Sequence, residues 1–135
     1  MTQKSINELA YKVVGCAIEV HKIMGPGLLE SIYQKCMLKE LSLSNINARQ
    51  EYRIPLIYKG EDINSELIID ILVNDCLVVE LKSVEKTLPI HKAQLLTYLK
   101  LTGKPKGLLI NFNTENITTS LVSMVTEEYS KLSKE

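Results

Sequence analysis

The chain has 135 residues, with 16 Lys and Arg against 16 Asp and Glu, 45% hydrophobic and 24% charged residues. That length suits one folded domain spanning residues 1–135, and the composition excludes a disordered chain. Zero net charge excludes bulk attraction to nucleic acid or to an anionic membrane, so any phosphate contact must come from a local patch. Lys82, Lys86, Lys92, Lys100, Lys104 and Lys106 are its candidates, although a solvated face accounts for most of them.

Cys16, Cys36 and Cys76 are odd in number, widely spaced and set in apolar segments, which argues for buried free thiols rather than a disulfide framework or a paired-cysteine metal site. The opening MTQKSINELAYK lacks an apolar leader, and no apolar run reaches the roughly 18 residues of a membrane span. A cytoplasmic protein with no membrane partner is expected.

In chain order, Ile6, Leu9, Ala10, Val13, Val14, Ala17 and Ile18 recur at helical spacing and predict a helix over residues 5–23. Gly25-Pro26-Gly27 interrupts it, and residues 28–43 resume a helical pattern. ARQEYRIPLIY, residues 48–58, reads as a strand that Pro55 places at an edge or a bulge, followed by a turn at residues 59–62. Two apolar runs, SELIIDILV and CLVVELKSV, flank Asn74-Asp75 and predict a tight hairpin of strands covered on both faces. Pro89 opens a third helix, with Ile90, Ala93, Leu96 and Leu101 as its expected buried side and an end near Gly103. GLLINF, residues 107–112, reads as a buried strand, and ITTSLVSMV as either a last strand or a short helix.

Charge placed where the pattern calls for core is the informative feature. Asp70 interrupts LII-D-ILV, and Glu80 and Lys82 interrupt LVV-E-LKSV. An unpaired carboxylate is so costly to bury that it is normally paired, protonated or bound to metal. A hairpin turning at Asn74-Asp75 sets Asp70 opposite Val79 or Glu80; in the second register the two carboxylates share a face with Cβ atoms roughly 4.5–5.5 Å apart. That gap suits a divalent ion, and oxygen-only ligands with an open shell favour Mg²⁺ or Mn²⁺. Lys82 would orient or help deprotonate an attacking water, or stabilise charge developing on a phosphate. Spacing alone leaves a structural Asp/Lys or Glu/Lys ion pair equally open.

Gly27-Leu28-Leu29-Glu30-Ser31-Ile32-Tyr33 fits the pattern G-x-x-E-x-x-Y; His21 precedes it, and Asp70, Val79-Glu80-Leu81-Lys82, the run from Ala93 to Leu99 and GLLINF follow in order. Over residues 13–112 the chain therefore resembles the GxxExxY proteins of the PD-(D/E)xK nuclease superfamily. Ile69 stands where the superfamily's name has proline, but only the carboxylate has metal to bind.

The resemblance implies a restriction-endonuclease-like α/β core, with a mixed central sheet of about four or five strands flanked by helices. It also implies that Asp70, Glu80, Glu30 and the backbone carbonyl of Leu81 bind metal. Lys82 becomes the catalytic lysine, while Gln94 and Tyr98, one helical turn apart, reach the scissile phosphate or that lysine. Other readings stand beside these. Glu30 at a helix start favours the positive end of the helix dipole, Gln94 and Tyr98 suit a half-buried helix face, and His21 and His91 suit capping or solvent.

The implied activity is Mg²⁺-dependent cleavage of nucleic acid, DNA in the first instance. A non-catalytic interaction module on the nuclease fold and hydrolysis of another phosphate ester are the alternatives. Neutral charge sits awkwardly with duplex affinity, which rests on phosphate neutralisation; a weak or structure-selective enzyme, a homo-oligomer or a partner protein would reconcile the two.

Overall fold

Thr2 opens the first helix in the computed structural model, which describes residues 1–135. Its hydroxyl accepts from the Ser5 N–H at 3.0 Å while the Ser5 hydroxyl accepts from the Thr2 N–H at 2.9 Å, so two of the donors that a helix start leaves free are satisfied reciprocally. Helix α1 runs Gln3–Met24 and ends where Gly25 takes a φ of +73°. Helix α2 covers Glu30–Leu43, two residues later than the apolar pattern suggests. Leu28 and Leu29 belong instead to the Gly25–Pro26–Gly27 loop. The Tyr33 hydroxyl holds that loop, donating to the Gly25 carbonyl at 2.6 Å and accepting from the Leu28 N–H at 3.1 Å.

Strands β1 (Ala48–Tyr58), β2 (Glu61–Val73) and β3 (Leu77–Lys82) form an antiparallel meander. Helix α3 (Pro89–Thr102) then crosses over to β4 (Lys106–Asn111), parallel to β3, and β5 (Val122–Val125) closes the sheet antiparallel to β4. The five strands lie in chain order, so β1 is an edge, one of the two readings Pro55 allowed, and its register slips between Pro55 and Ile57, which is the other. The last apolar segment is both expected things at once: α4 (Ile117–Ser120), then β5. A final turn, α5, spans Glu127–Ser130.

The sheet separates two cores. On one side α1 and α2 bury Ile6, Val13, Tyr33 and Met37 with Ile71, Val79 and Ile110; on the other α3 buries Leu95 and Leu99 with Leu72, Val78 and Leu109. This corrects the expected buried side of α3. Ile90 and Leu101 are exposed and Leu95 and Leu99 are the inward pair, because Gly107 on β4 lacks a side chain and both leucines settle over it. The covered-strand expectation fits β3 but only the second half of β2, since residues 61–66 project into solvent. Cys16 and Cys76 are buried and Cys36 half-buried, all three free.

One irregularity positions the site. Ile71 joins the α1–α2 core while Ile69 joins the α3 core, and on β1 Ala48 packs with the first and Tyr52 with the second. Residues an even number apart share a face in a regular strand, so both strands turn over between these positions. The pivot is Glu51 opposite Asp70: Gln50 pairs with Ile71 and Tyr52 with Ile69, the pair between them drops out of the ladder, and Glu51 takes a φ of +47°. A left-handed non-glycine residue inside a strand costs about 1–3 kcal/mol. Here it accompanies the turn-over that frees Asp70 from the ordinary pleat.

Candidate metal and active site

The β2–β3 ladder runs Val73↔Leu77, Leu72↔Val78, Ile71↔Val79 and stops. Continuing that register sets Asp70 opposite Glu80, the second of the two alternatives open from the sequence. Side chains replace the missing ladder bonds. The Leu81 N–H donates to Asp70 Oδ2 at 2.8 Å, and the Asp70 N–H donates to Glu80 Oε1 at 3.2 Å. The carboxylates therefore meet at the fork between the strands, each bonded to the other's strand, rather than standing side by side on one face. The turn-over at Asp70 is the reason.

Glu80 is 5% exposed. Burial, then the charge of Asp70 and a side-chain hydrogen bond with it, push its carboxyl up to about 9, opposed by the Asp70 N–H and by the charge of Lys82. Lys82 is half-buried and, two residues on, shares the face of Glu80. It is not locked to either acid. The chain's two ion pairs are Lys104–Asp75 and Lys131–Glu128, both away from the fork, so the structural-ion-pair alternative finds no support.

Tyr98 on α3 belongs to this neighbourhood. Its phenol is pushed up by burial, then by the charges of Glu80 and Asp70. Gln94 lies one turn earlier on the same half-buried face. Glu30 is the exposed first residue of α2, and no three His, Cys, Asp or Glu side chains converge in the chain, so Glu30 is not gathered with Asp70 and Glu80. Tyr33, its partner in the motif, turns into the core and stacks on Phe112 with ring centroids 4.4 Å apart. The histidines serve as ties: His21 Nε2 lies 2.6 Å from the Thr114 carbonyl, and His91 Nδ1 accepts from the Leu88 N–H at the start of α3.

Three supporting residues escaped the sequence reading. Gln34, one turn after Glu30, donates to the Asp70 carbonyl at 3.4 Å. Ser83 donates from its hydroxyl to the Leu28 carbonyl, binding the glycine loop to the strand that carries Lys82. Asn111, 2% exposed, pairs beside Lys82 and clamps Val84 through both the N–H and the carbonyl of that residue. The signal for Asn111 was the one that exposed Asp70 and Glu80, a polar residue ending a buried apolar run.

A mixed five-stranded sheet flanked by helices, with a carboxylate pair at a strand fork and a lysine two residues on, is a restriction-endonuclease-like arrangement. A model of the PD-(D/E)XK nuclease superfamily matches residues 7–123. The chain belongs to that superfamily. No curated protein and no solved structure matches it. Nucleases of the PD-(D/E)XK superfamily generally use divalent metals such as Mg²⁺, and the residues at the fork fit such an ion. They are hard oxygen donors, neither is ion-paired with a cation, and two carboxyl groups with open positions beside them are what Mg²⁺, which keeps waters and takes phosphate oxygens, accepts. No helix is long and apolar enough to cross a membrane.

Proposed function

We propose that this protein is a divalent-metal-dependent nuclease that hydrolyses phosphodiester bonds of nucleic acid, DNA in the first instance. The observation that carries the reading is the pairing of buried Glu80 with half-buried Asp70, unmatched by any ion-paired cation, with Lys82 alongside. Asp70 and Glu80 would hold Mg²⁺ or Mn²⁺. The backbone carbonyl of Leu81, the residue whose N–H reaches Asp70, would supply a third oxygen. Glu30 would join through a water or by a shift of the α2 start. The bound ion supplies Lewis acidity to a phosphate oxygen and acidity to water.

The remaining work falls to the chain. Lys82, unpaired, orients the attacking water and balances charge developing on the phosphate. Tyr98 and Gln94 on α3 hold the phosphate against the fork. Gln34 and the Ser83–Leu28 tie keep α2 and the glycine loop in register with β2 and β3. Neutral overall charge implies modest affinity for duplex, met by assembly with further copies or with a partner protein.

The test is Mg²⁺ and Mn²⁺ calorimetry together with cleavage of single-stranded, duplex and branched DNA. Loss of both binding and cleavage in Glu80→Ala, with loss of cleavage alone in Lys82→Ala, supports the roles. A wild type that binds neither ion at millimolar concentration, with both substitutions altering only stability, makes the fork structural and the protein an interaction module.

A further inference from the structure

Helix α1 buries Ile6, Ala10, Val13, Ala17 and Val20, and its opposite face carries Glu8, Tyr11, Lys12, Gly15, Ile18, Glu19 and Lys22, all exposed. Tyr11 is 82% and Ile18 43% exposed, and none of the four charges enters an ion pair. Gly15 stands at the centre of this face. A glycine inside a helix weakens it, and nothing lies within 4 Å of the place a Cβ would take, so the monomer gives this residue no packing role. What its bare backbone does allow is close approach by another helix, to an axis separation of roughly 8 Å.

The order of the side chains names that helix. Glu8 and Lys22 lie at equal distances before and after Gly15, as do Tyr11 and Glu19, and Lys12 and Ile18. Seen down the axis, Lys12 and Glu19 fall on one flank of the Glu8–Gly15–Lys22 line, and Tyr11 and Ile18 on the other. A second copy of α1 laid antiparallel about a twofold axis at Gly15 therefore meets each group with its complement. Glu8 lies against the partner's Lys22, Lys12 against the partner's Glu19, and Tyr11 against the partner's Ile18, each contact occurring twice. Parallel pairing would instead set Glu8 against the partner's Glu8 and Lys12 against the partner's Lys12. We infer that the outer face of α1 is a self-pairing surface through which two copies of this chain form an antiparallel helix dimer centred on Gly15. A contact confined to one helix face is small, so the dimer is weak, with a dissociation constant on the order of 10–100 µM. It lies on the side of α1 away from the sheet that carries Asp70 and Glu80, so pairing covers neither fork. Two forks in one particle would hold a nucleic acid at two points, the second bound as an intramolecular event, which offsets the lack of bulk positive charge. That consequence rests on the nuclease reading above; the pairing itself does not.

The experiment is sedimentation velocity on the full chain without metal or nucleic acid, from about 5 µM to about 500 µM, at low salt. The wild type should pass from one copy to two across that range. Glu8→Lys and Lys22→Glu, each alone, should weaken pairing roughly tenfold or more, since each sets like charges together at both symmetric contacts. An equimolar mixture of these two variants should recover it, because each then offers the other opposite charges at both contacts. Gly15→Gln separates the surface from the fold: it should raise the melting temperature of the dilute monomer, as a better helix former in open space, and abolish the dimer. A wild type that stays monomeric throughout overturns the pairing. So does a dimer unmoved by the reversals, one that the mixture fails to recover, or one that Gly15→Gln leaves intact. Should the wild type pair as expected but cleave no nucleic acid, the pairing stands and the nuclease reading fails.

Discussion

Asp70 and Glu80 each bond to the other's strand: Asp70 Oδ2 takes the N–H of Leu81 and Glu80 Oε1 takes the N–H of Asp70. Neither bond neutralises charge, and together they hold two carboxyl groups at one point where burial keeps water away. A proton is the means by which the metal-free fork lowers that cost, and it places Glu80 at about 9. Metal must displace this proton. We therefore expect close to one proton released per Mg²⁺ or Mn²⁺ bound near pH 7.5, measured by calorimetry in buffers of differing ionisation enthalpy, and affinity rising up to roughly tenfold per pH unit towards pH 9. Binding without proton release would show Glu80 to be already ionised.

The same proton governs stability without metal. A carboxyl whose folded value is raised from 4.5 to about 9 contributes stability that is fully present below about pH 4.5 and is lost as pH rises through about 9. Glu80→Gln keeps the shape and removes the titration. In EDTA, the melting temperature of Glu80→Gln minus that of the wild type should grow between pH 5 and pH 9, reaching several degrees. A flat difference would mean that the buried carboxyl carries no penalty.

Lys82 makes a separable prediction. Because it is bonded to neither acid, Lys82→Met should leave Mg²⁺ affinity within a few-fold of the wild type, or slightly improve it by relieving cation repulsion, while cleavage falls by roughly a hundredfold or more. Tyr98→Phe should cost less, about tenfold, since one hydroxyl is lost. Equal loss of metal affinity and cleavage in Lys82→Met would move the lysine from chemistry to ion retention.

The sequence exposes this site because burying charge is expensive: a carboxylate in an apolar run is visible with no coordinates at all, and Asp70, Glu80 and Lys82 all stand where such reasoning finds them. The β2–β3 hairpin follows from the Asn74-Asp75 turn in the same way, and Pro55 marks β1 as an edge or bulged strand, both of which it is. The turn-over at Glu51 and Asp70 was hidden, since a positive φ at a glutamate has no compositional mark. It decided that the acids meet at the fork rather than across a face. The buried side of α3 was hidden too, because Ile90 and Leu101 are as apolar as Leu95 and Leu99, and only the bare backbone at Gly107 breaks the tie.

The Tyr33 hydroxyl tests whether the GxxExxY tyrosine serves the loop rather than the chemistry. It is fully buried, donates to the Gly25 carbonyl and accepts from the Leu28 N–H. Tyr33→Phe preserves the stacking on Phe112 but strands both backbone groups, which should cost about 1–3 kcal/mol, read as a lower midpoint in urea. Metal affinity should stay within a few-fold. A variant of undiminished stability that has lost cleavage would place the hydroxyl in the active site.

Gly107 ties the fold to the site through α3. A Cβ built there would stand 2.8 Å from Leu95 Cδ1 and 3.1 Å and 3.2 Å from the two methyl carbons of Leu99, and both leucines are buried and hemmed in. The contacts are side-chain ends, so Gly107→Ala should fold, with the helix pushed outward at a cost of about 1–3 kcal/mol. Tyr98 lies between those two leucines on the helix, so it moves with them, away from Glu80. The expected result is a double signature, a lower melting temperature together with a lower kcat at unchanged Mg²⁺ affinity. Adding Leu95→Val should recover part of both, because the shortened side chain makes room for the new methyl group. Recovery of stability without recovery of kcat would separate the position of α3 from the chemistry at the fork.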